Sequence, residues 1–145
     1  MICRCMLAFV ALALVATAGF AQDAIADRKA LMKLIGEQAR AGVAMVKGEQ
    51  PYDQTKAQAI FAAFAEKAAK MRTLFPDTSK TGGDTRALPA IWDKAADWNS
   101  AIDKFETETK AAQAASRNLD SFKAALETVG KNCGGCHQTF RKPQS

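Results

Sequence analysis

The chain has 145 residues, 48% of them hydrophobic and 24% charged, with a net charge of +5 at pH 7. That length suits one domain with one core, and the cations are spread along the chain without a basic block, which argues against nucleic acid as a partner. Four cysteines and one histidine restrict any metal or redox chemistry to very few donors.

Residues 1–21 read as a cleavable export signal. Arg4 precedes an apolar run from Met6 to Val15, and Ala16-Thr17-Ala18-Gly19-Phe20-Ala21 supplies the small residues a signal peptidase needs, so cleavage is expected after Ala21. The competing reading is a transmembrane anchor, but the run is shorter than the roughly 20 apolar residues that a bilayer core demands. Cys3 and Cys5 precede the run, on the wrong side for a lipidated mature N-terminus, and would leave with the signal. Cleavage removes one arginine and no acid, so +5 falls to +4. The expected mature domain is residues 22–145, in the periplasm, with no membrane span.

Within that domain the apolar residues recur three or four apart, the helical spacing. From Asp27 to Lys47 the stripe is Leu31, Met32, Ile35, Ala39, Gly42, Val43 and Val46, which predicts helix one. Gly48 to Pro51 stops it, and Asp53 is placed to cap a second helix whose stripe runs from Ala57 through Ile60, Phe61, Phe64, Ala68 and Met71 to Phe75. Residues 76–88, with Pro76, Gly82 and Gly83, read as a crossing loop. Pro89 suits the first turn of a third helix, carrying Ile91, Trp92, Ala95, Trp98, Ile102, Phe105 and Ala112 and ending near Ala115. The last stripe is Leu119, Phe122, Leu126, Val129, Cys133, Cys136 and Phe140, started by Ser116 or Asn118 and ended near Pro143. Without sustained period-two alternation, the expected fold is all-α, an antiparallel four-helix bundle.

The chemistry lies in Cys133-Gly134-Gly135-Cys136-His137. Two thiols can add across the two vinyl groups of a haem, and the next histidine can reach its iron. Export supports this, because thioethers prevent loss of the group into a dilute compartment. Three other readings compete. Structural zinc generally wants four ligands from two clusters, yet the mature chain offers only Cys133, Cys136 and His137. A thioredoxin-like site wants its reactive cysteine at a helix N-terminus beside a βαβ pattern, which this late, helical position lacks. A plain disulfide in a haem-free helical binding module is the third. Gly130, Gly134 and Gly135 each cost a helix interior about 1 kcal/mol, which suggests a flat group close against that face, or simple fraying.

On these residues the sequence resembles the class II cytochromes c, the family of cytochrome c prime, whose haem motif closes a four-helix bundle near the C-terminus. The resemblance covers essentially the whole mature chain: Arg28-Lys29-Ala30-Leu31-Met32, Pro51-Tyr52-Asp53, Ile91-Trp92 and Cys133-Gly-Gly-Cys-His-Gln-Thr-Phe-Arg141. It implies one covalent haem c on Cys133 and Cys136, with His137 as the proximal iron ligand. It further implies that Arg28 lies near a haem propionate, where a charge-assisted bond would be strong. Arg141 would stand beside the proximal face. The alternatives are an exposed helix arginine for Arg28 and a helix-dipole partner for Arg141.

The sixth iron position decides between electron transfer and gas binding. With one histidine, a bis-histidine site within one chain is excluded, and the mature methionines are Met32, Met45 and Met71. The resemblance puts Met32 on the distal side, and the surrounding residues look like the low-spin, methionine-ligated branch, whereas Met45 and Met71 are assigned to packing. The aromatic residues are assigned to packing around the haem. The expected function is a periplasmic electron carrier, not an enzyme, exchanging electrons with redox protein partners. A five-coordinate cytochrome c prime that binds nitric oxide or carbon monoxide is the alternative, and a homodimer is left open.

Overall fold

The computed structural model describes residues 3–143, with side-chain detail from Asp23 onward; the expected cleavage after Ala21 and the side chains of the leader lie outside the described residues. The helices are α1 (Cys3–Val46), α2 (Gln54–Met71), α3 (Ala90–Asp93), α4 (Ala95–Ala115) and α5 (Leu119–Phe140). Among the described residues there is no strand, only an isolated antiparallel bridge between Ala87 and Arg141. No helix among them is long and apolar enough to cross a membrane.

Helix one does not begin at Asp27 as the stripe suggested. Its backbone is helical from Cys3, because no proline or glycine separates Gln22 from Asp27, and Ile25, only 2% exposed, already joins the buried face. Gly48, at φ +75°, then ends the helix in the left-handed conformation that glycine adopts without steric cost. Asp53 caps α2 as expected, accepting from the Lys56 backbone N–H at 2.9 Å. After Met71 the chain tightens into a 3₁₀ turn at Arg72–Leu74, and a second at Asp77–Ser79 lies within the expected loop.

The third predicted helix is broken. Lys94, at φ −121° and ψ 50°, separates the single turn of α3 from α4. The apolar stripe continues across the break, with Ile91 and Trp98 both buried, so periodicity alone could not reveal it. Asn118, not Ser116, caps α5 through a reciprocal capping box with Ser121. Ser116 instead ends α4, fully buried, its backbone carbonyl accepting from the Tyr52 hydroxyl at 3.2 Å.

The four long helices close a ring of contacts, α1 on α2, α2 on α4, α4 on α5 and α5 back on α1. The core is aromatic, with Phe61 5.6 Å from Phe122 and 6.1 Å from Phe64, centroid to centroid. Burial of such rings supplies most of the apolar stabilisation. Three residues of the predicted stripes are exposed: Val43 at 41%, Leu119 at 39%, and the small Ala95.

Candidate haem site

Between the buried Val129 and Phe140, α5 leaves Cys133, Cys136 and His137 half-buried. Beside these turns lies a small cleft of about 50 Å³, partly open to solvent. One wall is α5 itself, through Asn132, Cys133, Cys136 and His137. Met32 and Ile35 of α1 and Met71 of α2 form a second wall, and Ala101, Ile102 and Phe105 of α4 a third. The lining is almost wholly apolar.

The cleft therefore brings Cys133, Cys136 and His137 together with Met32. Met71, assigned to packing from the sequence, also reaches it, whereas Met45 is buried away from it. Of the aromatic residues assigned to the haem surroundings, only Phe105 lines it. Trp98 stacks edge-on against Phe75 and Phe140 in a separate cluster, and the Trp92 indole N–H donates to the Phe75 carbonyl.

Both cysteines are free thiols and half-buried. Burial pushes the Cys133 thiol up, and burial together with the neighbouring Cys133 pushes Cys136 up to about 11, against the opposing pull of Arg141. Such thiols are neutral at pH 7, the opposite of the activated thiolate a disulfide oxidoreductase needs. Among the described residues no three His, Cys, Asp or Glu side chains converge where they could hold a metal ion. A lone imidazole suits an iron whose equatorial donors come from a porphyrin.

His137 is half-buried. Burial, then the charges of Arg141 and Arg86, hold its imidazole below the usual histidine value, so it is kept neutral, the form that ligates metal. Arg141 is exposed and ends α5, its backbone N–H donating to the His137 carbonyl at 3.2 Å. The 86–88 segment clasps this end: the Leu88 N–H donates to the Phe140 carbonyl at 3.0 Å and the Lys142 N–H to the Arg86 carbonyl at 2.8 Å.

Arg28 is not in the cleft lining, nor is it an exposed helix arginine. It is 5% exposed, over the Phe75 ring at 4.9 Å. Nη1 donates to the Leu74 carbonyl and the Ser79 hydroxyl, and Nη2 to the Ser79 carbonyl and the Thr85 hydroxyl, at 2.7–3.4 Å. All these acceptors are neutral, and burial lowers its pKa. Its observed work is to fasten the 74–85 connection to α1.

Gly130, Gly134 and Gly135 are exposed, and a Cβ at any of them would meet nothing within 4 Å. The glycine that permits close approach is Gly42 on α1, where a Cβ would lie 3.2 Å from Leu126 and 3.3 Å from Phe122.

A helical bundle closing on Cys-x-x-Cys-His beside an apolar cleft defines the c-type cytochrome class. Residues 23–141 match the family model described as cytochrome C′. A cytochrome c′ from Rhodopseudomonas palustris is 42% identical over 85% of this chain and 84% of its own length, and a cytochrome c-556 from the same organism is 35% identical over 90% and 91%. The solved R. palustris cytochrome c′ superimposes with a TM-score of 0.81 over 85% of this chain and 98% of that one. A structure of oxidized R. palustris cytochrome c556, 33% identical, gives 0.78 over 86% and 99%. The chain belongs to the cytochrome c′ family of class II c-type cytochromes, and its cofactor is covalently bound haem c.

Proposed function

We propose that this monohaem cytochrome is a periplasmic electron carrier, exported by residues 1–21 and six-coordinate through His137 and Met32. The observation that carries this reading is the meeting of Met32 and His137, from opposite ends of the chain, in one apolar cleft. Bound haem supplies the one-electron Fe(III)/Fe(II) couple.

The chain's own groups prepare for this. Cys133 and Cys136 are held as neutral thiols and would hold the haem through two thioethers, each S–H adding across one vinyl group. His137, kept neutral by burial and by Arg141 and Arg86, presents the imidazole as proximal ligand. Arg141, adjoining that histidine, stands on the proximal side. Arg28, buried without an acidic partner among the described residues, is the arginine that would face a haem propionate from the side of the 74–85 connection. A thioether from Met32 favours ferrous iron, and the apolar lining disfavours the extra charge of ferric iron. Redox proteins are the partners this function requires.

A second reading, a five-coordinate protein binding nitric oxide or carbon monoxide, is favoured by the 42% identity to a cytochrome c′. The ferric absorption spectrum separates the two. A low-spin spectrum that Met32→Ala turns high-spin, with carbon monoxide binding only in the variant, is the expected result. A high-spin wild-type spectrum with ready carbon monoxide uptake would establish gas binding instead.

A further inference from the structure

Among the cleft residues, Asn132 is the one polar side chain that is neither a thiol nor the imidazole. It immediately precedes Cys133, and its side-chain amide donates to the Glu108 carboxylate of α4. That bond ties α4 to α5 at the level of the first cysteine, across 24 residues of sequence. The Glu108 side chain is only 31% exposed, and its one cationic partner among the described residues is Lys104, 3.9 Å away on a side chain 64% exposed. The carboxylate is thus weakly neutralised, partly buried and tied to the cleft through Asn132, where screening is poorer than in open solvent. Lys131, on the adjoining turn of α5, is engaged with Glu127.

We propose that Glu108 biases the ferric/ferrous balance toward ferric iron, and that Asn132 is the positioning residue that keeps its carboxylate at the cleft. The inference rests on haem attachment at Cys133 and Cys136. Ferric iron carries one more positive charge than ferrous iron, so a fixed anion beside the cleft stabilises the oxidised state. The polar pair acts against the thioether of Met32 and the apolar lining, giving this chain a means of adjustment independent of its axial ligands.

The test is equilibrium redox titration of the haem-loaded protein, comparing wild type with E108Q and N132A at low and high salt. E108Q keeps an acceptor for the Asn132 amide and removes the charge. At a fixed ambient potential its ferrous-to-ferric ratio should rise about threefold, the size expected for partly exposed charges, and the rise should shrink at high salt. Its absorption spectrum and thermal midpoint should match wild type, which separates charge from structure. N132A, which frees the carboxylate to turn to solvent, should shift the ratio the same way but less. An unchanged E108Q ratio at low salt would overturn the role of Glu108, and a shift in E108Q with none in N132A would overturn the role of Asn132. Protein that matures without a haem adduct on Cys133 and Cys136 fails earlier and differently, by overturning the attachment itself.

Discussion

The two halves of α5 lie on one continuous apolar stripe but meet different surroundings. In the first half Phe122 is fully buried, its ring 5.6 Å from Phe61 and 5.9 Å from Tyr52, and α1 comes so near at Gly42 that a single added carbon would press on Phe122 and Leu126. In the second half Cys133, Cys136 and His137 stay half-buried beside a cleft. The first half is filled by ring-to-ring contacts that leave no room for an added carbon at Gly42. The second faces Ala101, Ile102 and Phe105 of α4 and Met32 of α1 across a small apolar cleft. The bundle thus packs large rings together at one end and lines a small apolar cleft with the two thiols and the imidazole at the other.

The sharpest way to break this contrast is to remove one ring from each half of the haem-free chain. Phe122→Ala should lose about 3–5 kcal/mol of unfolding free energy, the cost of a large buried ring whose neighbours cannot collapse. Phe105→Ala, beside space that is already empty, should lose less than half of that. Urea denaturation followed by circular dichroism measures both. Equal losses would mean that the cleft end is as tightly packed as the other.

The closed half was the more legible of the two from sequence. Periodicity identified Phe61, Phe64, Phe122 and Val129 as core because buried positions repeat with the helix, and all are buried. It failed where burial and helical continuity part company: the stripe passes through the break at Lys94, and it included Val43 and Leu119, which lie at the edge of the buried face. At the cleft, Cys133 to His137 were readable because attachment and ligation need adjacent residues on one turn. Ile35, Ala101, Ile102 and Asn132 were not, because a cleft arises from a mismatch between facing helices that no single helix records. The buried Arg28 clamp depended on the fold of the 74–85 connection, which carries no periodic signal.

The cleft half should also be the part that alkali loosens, again in the haem-free chain. Cys136 is raised from about 9 to about 11 by burial first and Cys133 second. The folded state therefore favours the neutral thiol. Stability from this group is complete below the unfolded value and declines as pH rises from about 9 through about 11, because the unfolded chain loses the proton first. After discounting for solvent around a partly exposed thiol, the loss is about 1–2 kcal/mol. Cys136→Ser should flatten the stability profile between pH 9 and pH 11, while Phe122→Ala should lower it at every pH without changing its slope. A wild-type profile with no decline over that interval would contradict the burial of this thiol.

The smallest effect expected is at the start of α5. Asn118 accepts from the Ser121 backbone N–H at 2.9 Å, and the Ser121 hydroxyl stands 3.2 Å from the Asn118 backbone N–H in return. Asn118→Ala removes the first of these bonds and should cost about 1 kcal/mol. The loss should be confined to the closed half, because the far end of the helix is fastened separately, through Ala87, Leu88 and Phe140. Amide hydrogen exchange distinguishes local fraying from a general loosening. Faster exchange over the first turns of α5, with unchanged protection around His137, would show that its two ends are secured independently; faster exchange at both would mean that the cap and the clasp belong to one cooperative unit.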